Sequence, residues 1–259
     1  MKQEERRQFL IGELLRERPF CRIQEIPADA GRQKVLLRSL MNVRHPGAVS
    51  QRFLEVQDAY LQEELAAKGI TRLSDLRPVQ EGIYLWRGDI TTLECGAIVN
   101  AANSGMTDCY QPCHSCIDNC IHTYAGVQLR LKCAELMARQ GFEEPAGQAK
   151  ITPAYNLPCD YVIHTVGPIV QGKLTRRHCE LLESCYRSCL TLADENQIPS
   201  IALCCISTGV FMFPHDRAAQ IAVRTVQKYR AETGSRIEVI FNVFGEQDEQ
   251  IYSRLLRAD

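Results

Sequence analysis

Six short apolar runs mark the chain from residue 83 onward: "IYLWRG" from Ile83, "AIVNAAN" from Ala97, "AKITPAY" from Ala149, "DYVIHTVGP" from Asp160, "IALCCISTG" from Ile201 and "IEVIFNVF" from Ile237. Stretches with helical spacing separate them, near 118–140, 175–196 and 215–231, and one more closes the chain near 246–257. A strand that is apolar at almost every position has no face to turn to water, so its sheet must be covered on both sides. Helices that cross between such strands supply the cover. The pattern predicts an α/β fold, a three-layer α/β/α domain over residues 73–259.

Residues 1–72 read differently. Phe9, Leu10, Leu14 and Leu15, then Leu36, Leu37, Leu40 and Met41, then Phe53, Leu54, Leu61 and Leu65 recur at three- and four-residue intervals, as one apolar helix face does. This segment is predicted to be a helical extension. The stretch "RLSDLRPVQEG" (72–82), with Pro78 and Gly82, marks the change of pattern.

The charge balance narrows the function. Thirty basic residues against 31 acidic ones give no basic field for nucleic acid and no polybasic membrane anchor. The N-terminal "MKQEERRQFL" is too charged for a signal peptide, and no run approaches the roughly 18 apolar residues of a membrane helix. A cytoplasmic protein with a small-molecule or protein substrate is expected. In that reducing setting, thirteen cysteines point to metal ligands or reactive groups more than to disulfides.

In doubly covered parallel sheets, ligands sit beyond the carboxyl ends of the strands. Three strand ends carry chemistry. Asp89, after the first apolar run, can cap the next turn or accept from an amino group such as that of adenine. Asn100 and Asn103 offer amides suited to sugar hydroxyls, or to bonding their own turn. The stretch "STGVFMFPHDRAA" is a glycine turn leading into a helix, where backbone N–H groups can cradle phosphate oxygens.

Taken in order, "GDIT", "NAANS", "CIDNCIHTYAG" and "ISTGVFMFP" resemble the macrodomain family of ADP-ribose-binding modules and ADP-ribosyl hydrolases. The resemblance implies an α/β/α macrodomain with a mixed six-stranded sheet and a cleft for ADP-ribose. It implies that Asp89 and the backbone of Ile90 hold adenine and that Asn103 orients the distal ribose. It also implies that the loop through Ser207, Thr208, Gly209, Val210 and Phe211 wraps the diphosphate, Phe211 closing over the ligand. Asp118 falls where hydrolytic members carry a catalytic aspartate, so Asn103 and Asp118 are the expected catalytic pair.

One segment departs from the common family pattern. The glycine-rich run before the aspartate is replaced by "DCYQPCHSC", which resembles a zinc-dependent subgroup whose loop reads C-x4-H-x-C-I-D-N-x-I-H. That resemblance, which also covers the helical extension, implies one Zn2+ per chain held by Cys109, His114 and Cys116. Two thiolates and an imidazole leave a fourth tetrahedral position open, the mark of a catalytic site. A fourth ligand from Cys113 or Cys120 would instead close it into a structural site. Cys113 and Cys116 could also form a C-x-x-C dithiol. "PCHSC" fits half of a zinc-deaminase signature, but the other half needs an upstream H-x-E, and the one upstream histidine, His45, is followed by Pro-Gly. His122 can be a further ligand or can pack locally, four residues past Asp118 on a helix; His164, His178 and His215 read as structural histidines, and Cys204 and Cys205 as core residues.

The subgroup resemblance implies zinc-dependent hydrolysis of single ADP-ribose units from Asp or Glu side chains of a modified protein, with release of ADP-ribose. In microbes it implies a lipoyl-carrier protein, modified by a sirtuin-type transferase, as partner. The competing class is an ADP-ribose-binding module that does not cleave and whose zinc is structural.

Overall fold

The computed structural model describes residues 1–18 and 25–257. Residues 19–24 of the expected helical extension lie outside the described residues. The rest of the extension forms α1 (Gln3–Arg16), α2 (Ala30–Asn42) and α3 (Gln51–Lys68). Asp29 caps α2 by accepting from Arg32 N at 2.8 Å, and Ser50 caps α3 by accepting from Phe53 N at 3.1 Å. In each case a short polar side chain satisfies an amide the helix leaves unpaired. Gly69 ends α3 at φ 86°, where an L side chain is rarely found. Leu10, Ile11 and Leu14 of α1, Leu37, Leu40 and Met41 of α2, and Phe53, Val56, Tyr60 and Leu61 of α3 pack into an apolar cluster of their own, joined by Val127.

Downstream come β1 (Thr71–Arg72), β2 (Pro78–Gln80), β3 (Ile83–Arg87), β4 (Leu93–Glu94) and β5 (Ala97–Ala102). There follow α4 (Ile117–Ala125), α5 (Val127–Gln140), β6 (Ala149–Pro153), β7 (Tyr161–Val166), α6 (Arg176–Glu195), β8 (Ser200–Leu203), α7 (His215–Thr233), β9 (Glu238–Val243) and α8 (Glu246–Arg257). Seven strands make one sheet in the order β2-β3-β9-β8-β5-β7-β6, and β1 pairs with β4 apart from it. The five inner strands are parallel, and β2 and β6 are antiparallel edges.

All six apolar runs are strands, yet the sheet has seven rather than the expected six. The addition is the edge strand Pro78–Gln80, and an edge is where proline's missing N–H is tolerated. Helices α6, α7 and α8 cover one face of the sheet, and α4 and α5 cover the other, as three layers require. The helix expected near 118–140 is broken into α4 and α5 at Gly126, φ 96°, where a Cβ would lie 2.6 Å from Gln57 Nε2 of α3. Among the described residues no helix is long and apolar enough to cross a membrane. The parallel strands end along one edge, so the segments after β3, β5, β8 and β9 lie side by side there.

Candidate active site

Two asparagines, one inside β5 and one just past it, meet one aspartate. Asn100, inside β5, is fully buried and in register with His164 of β7. Its Nδ2 donates to Asp118 Oδ1 at 2.8 Å and to His164 Nδ1 at 3.1 Å. Asn103, just past the strand, donates from Nδ2 to Asp118 Oδ2 at 3.3 Å and to the Asp108 carbonyl at 3.0 Å, while its Oδ1 accepts from Gly105 N at 2.9 Å. Asp118 sits in the first turn of α4 and is buried, so its two oxygens are held by two different side chains.

Burial pushes the Asp118 carboxyl up to about 7, against the hydrogen bond from Asn100, with Asp108 adding repulsion and Arg130 offsetting part of it. The carboxyl therefore changes charge near neutral pH, where a general base is most effective. Beneath it, burial holds the His122 and His164 imidazoles neutral, His164 at about 3. His122, Cys133 and His164 bring donor atoms within 4.8 Å of one another. His164, however, uses one ring nitrogen on Asn100 and the other on Thr152 Oγ1 at 2.9 Å, so this trio packs as core. His178 and His215 are likewise engaged structurally, with Thr175 at the start of α6 and with Asp248 at 2.6 Å.

The loop between β5 and α4 gathers the sulfur cluster. Cys109 Sγ lies 3.5 Å from His114 Nδ1 and 3.8 Å from Cys116 Sγ, and all three donor atoms lie within 4.8 Å of one another. Zinc with ordinary bond lengths would set tetrahedral edges of about 3.8 Å between sulfurs and about 3.6 Å between sulfur and nitrogen, so these residues fit such an ion. Cys116 caps α4, its Sγ accepting from Asn119 N at 3.4 Å, and Asn119 Nδ2 approaches Cys109 Sγ at 3.6 Å. Burial pushes the Cys116 thiol up to about 12, so a metal would have to displace its proton.

Cys113 and Cys120 do not join this cluster. Cys113 Sγ lies 3.2 Å from Ser39 Oγ and Cys120 Sγ 3.6 Å from Arg38 Nη2, both on α2. Cys113 is thus turned to α2 and not to Cys116, which removes the geometric basis for a dithiol.

Three further strand ends line the same edge: those of β3, β8 and β9. Asp89 caps the turn Ile90–Thr92, its Oδ1 accepting from Thr91 N at 3.0 Å, so the capping role is realised. Its Oδ2 faces Lys68 of α3 at 3.2 Å. Burial raises the Asp89 pKa, but the Thr91 hydrogen bonds and Lys68 outweigh it and hold the carboxyl below its usual range. Ile90 is buried beneath. Gly88 N donates to Val243 O at 3.1 Å, which places Phe244, 84% exposed, next to Asp89 along the edge.

After β8, Ser207 turns the chain at φ 67°, and Gly167 lets it come close, since a Cβ there would lie 2.0 Å from Ser207 Oγ. Among the described residues the N–H groups of Ser207, Gly209, Val210 and Phe211 have no acceptor within the chain, whereas those of Thr208, Met212 and Phe213 do. Val210 is exposed and Phe211 half-buried, its carbonyl accepting from Val170 N at 2.9 Å. Helix α7 begins only at His215, so the free N–H groups belong to the loop and not to the helix start, an arrangement able to cradle an anion. Cys204 is core as expected, but Cys205 is half-buried at the sheet end.

Residues 99–222 match the Macro domain family. A Protein-ADP-ribose hydrolase of Treponema medium is 60% identical over 260 residues, covering 99% of this chain and 100% of that protein. The chain belongs to the macro-domain family. A Protein-ADP-ribose hydrolase of Staphylococcus aureus is 48% identical over 256 residues, covering 98% of this chain and 96% of that protein. Among solved structures, the Trypanosoma brucei macrodomain in complex with ADP-ribose superposes with a TM-score of 0.65 at 30% identity, over 85% of this chain and 94% of that one. The Oceanobacillus iheyensis macrodomain with ADP superposes with a TM-score of 0.63 at 33% identity, over 71% of this chain and 94% of that one.

In this macro domain several residues at the site carry no local sequence signal. Asp108 and Arg130 form a buried ion pair that ties the cysteine loop to α5. Arg38, Ser39 and Asn42 reach the same loop from α2. Lys68 reaches Asp89 from α3. Phe244 closes the apolar run from Ile237 and reads there as part of the strand, which ends at Val243.

Proposed function

We propose that this macro domain removes ADP-ribose from ADP-ribosylated proteins, as a zinc-dependent hydrolase acting on single units linked to Asp or Glu side chains. The two hydrolase relatives, matched over nearly the full chain, support the coarser activity. The observation that carries the finer reading is the placing of the Asn103–Asp118 pair, 3.3 Å apart, in the same loop-and-helix segment as the Cys109, His114 and Cys116 donors. When bound there, zinc supplies a Lewis acid, able to lower the pKa of water or to polarise an oxygen of the ribose or ester.

The chain's own residues account for the rest. The free N–H groups of the Ser207–Phe211 loop hold the diphosphate, which a net charge of −1 cannot attract by a broad field. Asp89, whose side chain stays accessible beside Lys68, and the Ile90 backbone receive adenine. Asn103 fixes the distal ribose. Asp118, oriented through Oδ1 by Asn100, accepts a proton at Oδ2 from the attacking water. The water oxygen joins the substrate, the ribose–carboxylate bond breaks, and the acceptor leaves as a stable carboxylate. A lipoyl-carrier protein modified by a sirtuin-type transferase is the acceptor in this reading.

The test is release of free ADP-ribose from a protein mono-ADP-ribosylated on acidic residues, using enzyme as purified, stripped by chelator and restored with zinc, with metal content measured in parallel. Loss and recovery of hydrolysis with zinc is expected. Tight ADP-ribose binding with no release in any sample would make the chain a reader with a structural metal.

A further inference from the structure

The cysteine loop adopts a shape its own residues do not favour. Met106 (φ 58°), Asp108 (φ 77°), Tyr110 (φ 54°) and Cys113 (φ 53°) all occupy the left-handed region, which non-glycine residues rarely adopt. Something outside the loop must hold it, and much of that support comes from α2. Arg38 Nη2 donates to the His114 carbonyl at 2.7 Å and to Asn119 Oδ1 at 3.0 Å. Asn42 Oδ1 accepts from Cys113 N at 2.9 Å, and its Nδ2 is locked on Thr123 Oγ1 at 2.9 Å. Ser39 Oγ meets Cys113 Sγ at 3.2 Å.

These contacts govern which sulfurs can reach a metal. Cys113 is three residues before Cys116, the spacing at which two thiols share one zinc ion. Its thiol is nevertheless turned to α2, and Cys120 is also drawn to Arg38, so neither belongs to the cluster of Cys109, His114 and Cys116. Four protein ligands would make a closed, structural zinc site, whereas three leave the position that chemistry needs.

We infer that α2 of the N-terminal extension is part of the metal centre: Arg38 positions the His114 turn, and Ser39 and Asn42 keep Cys113 out of the coordination sphere, so the site stays three-liganded and open. This inference rests on the zinc reading above, and it gives the extension a task beyond covering apolar surface. Arg38, Ser39 and Asn42 are positioning residues, acting through the loop and touching no substrate.

The test uses the full chain loaded with cobalt(II) in place of zinc, reading metal stoichiometry and the thiolate-to-cobalt charge-transfer absorbance, with ADP-ribose release measured on the zinc form. The double variant Ser39→Ala, Asn42→Ala is expected to keep one metal per chain. Its charge-transfer absorbance should rise about 1.5-fold, the ratio of three thiolates to two, while hydrolysis falls at least about tenfold. Adding Cys113→Ala to that double variant should return the absorbance to the wild-type value and restore hydrolysis. Cys113→Ala alone should leave metal content, absorbance and turnover unchanged. Arg38→Ala should lower kcat with little change in KM.

An unchanged absorbance in the double variant, or no rescue by Cys113→Ala, overturns the inference. So does loss of absorbance in the single Cys113→Ala variant, a readout that holds even if the double variant fails to fold. Wild-type protein that takes up neither cobalt nor zinc refutes the zinc reading itself, which separates the two failures.

Discussion

Replacing Asp108 by asparagine removes one partner of a buried ion pair, since Asp108 is 2% and Arg130 6% exposed. Breaking such a pair by removing one side costs about 3–5 kcal/mol, because the remaining charge stays buried. Arg130 keeps other acceptors: its Nη1 donates to Met41 O at 2.8 Å and to the Arg44 carbonyl, and the guanidinium lies 4.8 Å from the Tyr110 ring centroid. These hold the loss at the lower end, about 3 kcal/mol, and at about 2–4 °C per kcal/mol for a chain of this size the melting temperature falls by about 6–12 °C. Thermal denaturation of chelator-treated Asp108→Asn reads this free of any metal contribution. A single variant within about 2 °C of wild type would refute the burial reasoning.

Asn103→Ala and Asp118→Ala should each reduce ADP-ribose release by about 100-fold or more while leaving zinc content intact, measured by product release and metal analysis. Phe244→Ala should weaken ADP-ribose binding by about tenfold or more in calorimetry with little change in stability, because the exposed ring offers a stacking surface beside Asp89. His164, at about 3 in the folded chain, takes up its proton only on unfolding across the window from about 6.5 down to about 3. Its contribution to stability is therefore complete above that window and lost as pH falls, by at most about 5 kcal/mol. Urea denaturation across the window should show a steeper loss for wild type than for His164→Gln, and equal slopes would contradict the assignment.

The sheet was legible because burial on both faces writes itself into every position of a strand: Ala97, Ile98 and Val99 are fully buried, as their run suggested. Three residues at an edge write no such pattern, and Pro78 reads first as punctuation, so β2 could not be read. Gly126 was equally silent, since its close approach to Gln57 depends on where α3 docks. The cysteine cluster was half legible. Spacing supplies four thiols and one imidazole between Cys109 and Cys120, and local sequence cannot say which of them come together. The selection depends on Arg38, Ser39 and Asn42, more than seventy residues upstream of most of what they touch, and in a helix whose apolar spacing marks them merely as the polar face.

The "NAAN" spacing shows how a motif can be readable while its geometry is not. Side chains share a face of a strand at even separations, so Asn100 and Asn103, three apart, would point to opposite faces if β5 continued. They converge on Asp118 because β5 stops at Ala102 and Asn103 bends the chain, its Oδ1 accepting from Gly105 N. The local reading of Asn103 as a turn former and the functional reading of it as a sugar ligand are therefore not rivals. The turn aims Nδ2 at the carboxylate, and the carboxylate, fixed from below by Asn100, keeps its second oxygen toward the strand-end edge. An odd spacing that would scatter two amides along a strand brings them to one carboxylate at its end.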